Sequence, residues 1–154
     1  MATTEPAAPR LDARLLTAAR LVRPGSPAAD VGCDHGRLAA WLACTGRCPR
    51  VVAGDLRPAP LATARQTCRA YGCEDRVDCR LAAGLEGVLP GEVRDIVVAG
   101  LSAETTIGIF EAAPWVFAPG IRLILVPATR HETLRRWLAG RGFALTEDIP
   151  VECA

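Results

Sequence analysis

The chain of 154 residues carries 18 cations, all of them arginine, against 17 acids, so its net charge is +1, and half of its residues are apolar. That is enough chain for one domain with a real core, and it excludes wholesale disorder and short-period repeat architectures. The near-neutral balance neither demands nor excludes an RNA partner.

No apolar run approaches the ~18 residues of a membrane span, and the first residues lack a basic and apolar leader. Seven cysteines, an odd number without a Cys-x-x-Cys pair or a nearby histidine set, argue against structural zinc and for a reduced, cytoplasmic protein.

Residues 1–10, rich in Pro, Ala and Thr, read as a flexible lead to a single domain over 11–154. A helix follows with Leu11, Leu15, Ala18 and Val22 on one face, and Arg23-Pro24-Gly25 ends it. Ala29-Asp30-Val31-Gly32-Cys33-Asp34-His35-Gly36-Arg37-Leu38 then reads as a short buried strand, a tight glycine loop and the start of a helix. Leu38, Trp41 and Leu42 mark that helix's apolar stripe. Glycine at 32 and 36 clears Cβ atoms from a place where the free N–H groups of a helix start can meet a ligand.

Val51-Val52-Ala53-Gly54-Asp55 is a second buried strand, ending in an acid 19 positions beyond Gly36. In a doubly wound sheet such an acid faces a ligand's ribose hydroxyls. Pro58 and Pro60 suit the first turn of a helix carrying Leu61, Ala64 and Cys68, which Gly72 closes. A third strand over 77–81 leads to the small-residue loop Ala82-Ala83-Gly84-Leu85.

The fourth strand, Asp95-Ile96-Val97-Val98-Ala99-Gly100, is the most apolar, as a central parallel strand should be. A helix runs on toward Phe110 with Ile107 and Phe110 inward, and a fifth strand spans 121–126. Thr129-x-x-Glu132 predicts a capping box for a helix bearing Leu134, Trp137 and Leu138. Residues 143–151 offer a sixth strand, placed at an edge by Pro150. Trp41, Trp137 and Phe110 stand at core spacing and read as packing residues rather than base-stacking platforms. The whole is an α/β fold with a doubly wound, mostly parallel sheet of about six strands and its ligand loops at the carboxyl edge. An unpaired sheet edge needs cover, and pairing with a second copy in a homodimer would supply it.

The pattern Asp30-x-Gly32-x-Asp34-x-Gly36 departs from the dinucleotide fingerprint, which would place glycine at 34 and 37. It resembles the first motif of class I S-adenosylmethionine (SAM) methyltransferases. Asp55, Gly84-Leu85 and the Asp95-to-Gly100 strand extend the match, as does the pattern LRxWLxxxGF over 134–143. Together they make most of the chain similar to the catalytic domain of the bacterial tRNA (adenine-22, N1) methyltransferases.

That resemblance implies a Rossmann-like class I fold, SAM as cofactor and a tRNA adenine as acceptor. It implies cofactor contacts from Asp30, Gly32, Cys33, Asp34, Gly36, Asp55, Leu56, Ala83, Gly84 and Gly100, the Asp30 carboxylate taking the ammonium of the methionine moiety. Asp34 and His35, beside the methyl site, are the candidate catalytic base or orienting groups, whereas His131 reads as a surface residue.

Several positions depart from the family pattern. Where the family has Ala-Gly-Met-Gly-Gly this chain has Ala99-Gly100-Leu101-Ser102-Ala103, and side chains at 102 and 103 are expected to narrow the approach of a flipped base. Val126-Pro127-Ala128 replaces Gln-Pro-Asn and removes two amides, and Ala83 replaces an Asp or Asn. The closing antiparallel strand and the helical extension through which the family holds tRNA are not in this sequence. The alternative to a methyltransferase is therefore a degenerate paralogue that binds SAM, RNA or a protein partner without methyl transfer.

Overall fold

The computed structural model describes residues 7–152; the first six residues of the expected lead, together with Cys153 and Ala154, lie outside the described residues. The elements follow in chain order as α1 (Ala13–Leu21), β1 (Ala28–Val31), α2 (Arg37–Cys44), β2 (Val51–Asp55), α3 (Pro58–Ala70), β3 (Val77–Leu81), β4 (Asp95–Ala99), α4 (Ala103–Glu111), a 3-10 turn (Pro114–Phe117), β5 (Arg122–Val126) and α5 (His131–Gly140). Asp12 caps α1, its carboxylate accepting the Leu15 N–H, one residue later than a helix beginning at Leu11 would require. Pro58 stands at the start of α3, where a missing N–H costs nothing.

The strands form one parallel sheet in the order β3-β2-β1-β4-β5. Winding runs outward from β1 through β2 to β3, then returns to the other side of β1 for β4 and β5. With right-handed crossovers, that reversal sends helices to opposite faces and opens a crevice between the loops that follow β1 and β4. Strand residues alternate between two apolar layers. Val51, Ala53, Val77, Val97 and Ile124 face α1, α2 and α3, while Val52, Ile96 and Val98 face Phe110, Val116 and the loop residues Leu85, Val88 and Val93. Ala8 packs against the first layer and Pro9 is buried, so the core takes in the end of the expected lead. Trp41 packs in the same layer, and Trp137 stacks on Phe110 with ring centroids 6.1 Å apart, so all three aromatics do serve packing.

Three local expectations change. Thr106, not Ile107, takes the buried place beside Phe110 on α4, and it closes its hydroxyl on the Ser102 carbonyl at 2.8 Å. The capping box at Thr129 does not form. Arg130, in the left-handed region at φ 55°, precedes α5 with no side-chain cap, while Thr129 is drawn into a bridge with Ser102. Residues 143–152 form no strand, which leaves five strands with β5 at the edge. That segment is held elsewhere: Phe143 lies on Phe117, and Asp148 takes both Nη atoms of Arg135 at 2.7 and 2.9 Å on the outer face of α5.

At the opposite edge, β3 is protected by charge. Arg80 reaches Asp78 of its own strand, and it holds the Gly87 carbonyl and the Glu92 carboxylate of the connection to β4. At the amino ends of the strands, Asp95 is fully buried and accepts from the Arg23 N–H at 2.8 Å, Arg23 Nε at 2.9 Å and Ser26 Oγ at 2.8 Å. Arg23 Nη2 goes on to the carbonyls of Arg94 and Gly120, so one guanidinium ties the end of α1 to the starts of β4 and β5. Arg23→Ala leaves the Asp95 carboxylate buried with its charge uncompensated, and is expected to lower stability by about 3 kcal/mol in urea denaturation.

Candidate functional site

β1 is paired on both sides in one register: Asp30 lies opposite Ala53 of β2 and Val97 of β4. The loops after the three central strands therefore open at nearly one level. At that level the polypeptide turns sharply. Gly32 has φ 71°, Asp34 φ 50° and Gly36 φ 74°, so the glycine loop alternates through conformations that side chains rarely adopt. The Cys33 N–H donates to the Gly54 carbonyl at 2.8 Å, and the Asp34 N–H donates to Asp55 Oδ2 at 3.0 Å. The loop is thereby stitched to the end of β2.

Three carboxylates converge here. Asp30 is buried, and its Oδ2 has no hydrogen-bond partner. Burial, with the neighbouring Asp55 charge adding to it, raises its pKa from 3.8 to about 7, although the Ala39 backbone pulls the other way. Asp55 is also buried but satisfied: besides the Asp34 N–H it accepts the Arg57 N–H at 2.9 Å and Arg57 Nε at 3.4 Å. Asp34 points outward, its side chain 62% exposed. Its Oδ1 lies 3.7 Å from His35 Nε2 and 3.8 Å from an Arg57 Nη. Asp34, His35 and Arg57 thus line the open mouth, while Asp30 and Asp55 form its floor.

The glycines divide by what a Cβ would meet. At Gly32 it would touch only the Leu101 side chain at 3.7 Å, and at Gly100, φ 83°, nothing lies within 4 Å, so both leave space on the loop side. Gly36 is different: a Cβ there would sit 2.8 Å from the Ala64 Cβ of α3. Its lack of a side chain lets α2 begin against α3, and the glycine faces that helix instead of a ligand. Gly84, φ 55°, likewise meets Ile109 of α4 at 3.0 Å. Cys33 is buried under the loop, and burial pushes its thiol well above the ordinary range. Leu56 is 69% exposed, and Ala83 lies exposed in the loop that begins where the Ala82 N–H donates to the Asp55 carbonyl.

The expected narrowing at 102 and 103 does not occur through Ala103, which is wholly buried as the first residue of α4. Ser102 instead caps that helix, its Oγ accepting the Thr105 N–H at 3.1 Å, with φ −66°. Both positions work inside the protein. What stands over the glycine loop is Leu101, whose carbonyl accepts the Ala128 N–H at 2.8 Å, while Gly100 donates to the Val126 carbonyl at 2.9 Å.

Sequence reasoning did not single out Arg57, Leu101 or Arg130. A cation two residues after a strand-end acid was a usable signal for Arg57; the left-handed conformation of Arg130 and its ion pair with Glu104 at 3.0 Å left no trace in the sequence.

A sequence profile described as a methyltransferase domain matches residues 11–153. Over 143 residues the chain is 28% identical to the tRNA (adenine(22)-N(1))-methyltransferase of Bacillus subtilis (strain 168), covering 93% of this chain and 60% of that protein. Among solved structures, a candidate tRNA (m1A22) methyltransferase from Streptococcus pneumoniae, in complex with S-adenosyl-L-methionine, superposes with a TM-score of 0.88 at 30% identity over 94% of this chain and 68% of its own. The M. capricolum TrmK structure with S-adenosyl-homocysteine has the same fold, with a TM-score of 0.83 at 23% identity over 94% and 64% of the two chains. The chain spans about 60% of the length of the curated relative it matches.

Two outcomes follow from the geometry. Gly36→Ala forces a Cβ into α3 at a left-handed residue and is expected to cost about 1–3 kcal/mol of stability, read by thermal or urea unfolding. Asp30 holds its proton to higher pH in the folded chain than in the unfolded one. Its stabilising contribution is complete below about pH 4 and is lost as pH rises to about 7. Asp30→Asn should flatten that fall when denaturation is followed across the same window.

Proposed function

We infer, for a chain that belongs to the methyltransferase-domain family alongside the bacterial tRNA (adenine(22)-N(1))-methyltransferases, that its carboxyl-edge loops bind SAM and that it methylates N1 of an adenine in tRNA. The observation that carries the reading is the convergence of Asp30, Asp34 and Asp55 with only Arg57 to offset them. Such a site repels a pyrophosphate and favours a ligand of net positive charge. SAM, with an ammonium, a sulfonium and one carboxylate, has that charge; a dinucleotide does not.

The fit is specific at Asp30. An ammonium group would satisfy the buried Oδ2 and favour the ionised carboxylate, reversing the effect of burial. Asp55 would take the ribose hydroxyls, its Arg57 contacts giving way because that guanidinium is largely exposed. Gly32 and Gly100 leave room for the methionine part, and Leu56 and Ala83 would border the base. SAM when bound supplies an electrophilic methyl group.

The protein's own share is positioning and proton handling. N1 of adenine already carries the lone pair that forms the new bond, so holding the base in line supplies much of the rate. Asp34 and His35, at the mouth and within 3.7 Å of each other, would orient the exocyclic amine or accept the proton it sheds.

The reading is tested by calorimetric titration with SAM, then by transfer of labelled methyl to unmodified tRNA. Micromolar binding is expected, weakened roughly tenfold to a hundredfold in Asp55→Ala. Near pH 6, binding should release a proton from Asp30, seen as a dependence of the heat on the buffer's ionisation enthalpy and absent in Asp30→Asn. Binding without methyl transfer would favour the non-catalytic paralogue, and no binding by the folded chain would overturn the cofactor site itself.

A further inference from the structure

Away from the carboxyl edge, a row of thiols crosses the layer between α2, α3 and β3. Cys44 at the end of α2 is hydrogen-bonded to Cys73, Cys73 to Cys68 on α3, and Cys68 to Cys79 on β3. All four are free thiols; the first three are buried and Cys79 is half-buried on the edge strand. No three of the described residues converge as metal ligands.

The outer end of the row opens on a cavity of about 340 Å³ lined by Arg65, Cys68, Arg69, Glu74, Asp78 and Cys79, with Val77 at its floor. Cys73 and Cys44 do not reach it. Two arginines balance two acids there, so a small uncharged molecule enters without electrostatic penalty. Arg65 also donates through Nη2 to the Cys79 carbonyl at 3.4 Å, which keeps its charge beside the thiol.

We propose that Cys79 and Cys68 form an oxidisable dithiol, in which a small hydroperoxide entering this cavity oxidises Cys79 and Cys68 resolves the product to a Cys68–Cys79 disulfide. The inference is independent of the methyl-transfer reading. The thiolate of Cys79 attacks the terminal peroxide oxygen, the O–O bond breaks, and the leaving oxygen takes up a proton, giving a sulfenic acid and water or an alcohol. The sulfur of Cys68 then attacks the Cys79 sulfur. The S–O bond breaks, and the Cys68 proton leaves with that oxygen as water. The two sulfurs together lose two electrons and the peroxide gains them.

The division of labour follows from the hydrogen bond. Cys68 donates to Cys79, which stabilises the Cys79 thiolate and lowers its pKa, with Arg65 adding to the effect; the same bond holds the proton on Cys68, whose pKa is raised. Cys79 is thus the more nucleophilic and the more accessible of the pair. The resulting bond would join α3 to β3, the two elements that flank Asp55: α3 begins beside the Arg57 contact, and β3 pairs with Asp55 through Leu81.

The arginine spacing makes the test direct. Trypsin separates Gln66-Thr67-Cys68-Arg69 and Val77-Asp78-Cys79-Arg80 from the peptide 70–76 that holds Cys73. The reduced native chain is treated with hydrogen peroxide, blocked, digested without reductant and analysed by mass spectrometry. The expected result is a link between the Cys68 and Cys79 peptides that dithiothreitol reverses. In Cys68→Ser, dimedone should label Cys79 in preference to every other cysteine. A predominant Cys68–Cys73 link, equal labelling of all thiols, or linkage only after unfolding in urea would overturn the proposal. The wild-type peptide map decides it even if the variant fails to fold.

Discussion

Asp30 stands at the last buried level of β1, between Ala53 and Val97 of its two neighbours, with one oxygen unpaired. An unpaired carboxylate in such a place costs several kcal/mol, so the carboxyl meets it by holding a proton up to about pH 7. A sheet built only for stability would put an apolar residue there, as β1 does at Ala29 and Val31. The surrounding architecture is organised to keep that group addressable. Winding reverses at β1, the loops on either side diverge, and the free oxygen lies under the crevice between them.

Backbone strain is placed at the same edge. The two non-glycine residues with positive φ among those described are Asp34, after β1, and Arg130, after β5. Each sits in a loop fixed by neighbours on rigid strands: Asp34 by its N–H to Asp55, Arg130 by the Thr129 bridge to Ser102 and the ion pair with Glu104. The amino edge is built on other principles. There Asp95 is fully satisfied by Arg23 and Ser26, and no comparable oxygen is left open. One end of the sheet is closed by a paired charge and the other is left ready for one.

The departures from the family pattern are accommodated without filling the crevice. Ser102 gains a capping role, and Ala103 enters the core, so the loss of glycines at these positions tightens the start of α4. The amides missing at 126 and 128 are a different matter, because Val126 and Ala128 hold the loops together through backbone groups alone. Their side chains bring no hydrogen-bonding group to an acceptor base, which leaves Asp34, His35 and Arg57 as the polar groups at the mouth.

Alternating apolar runs, the glycine loop and the acid at the end of β2 made the α/β class, the parallel sheet and the position of the ligand edge legible in the sequence, because each is a local signal of period or turn chemistry. The carboxylates Asp30 and Asp55 were legible for the same reason, being placed by the ends of strands. The missing capping box and the unpaired segment 143–152 were not legible, since Thr129 and Asp148 were each captured by a partner on another element, Ser102 and Arg135. Nor could glycine spacing separate Gly32 from Gly36: the residue type says that a Cβ is unwelcome, and only packing says whether a ligand or Ala64 occupies the space. The sequence by itself determined which groups carry charge and where the chain turns. Tertiary structure alone decided which of those charges were left unpaired, because pairing depends on contacts between residues far apart in the chain.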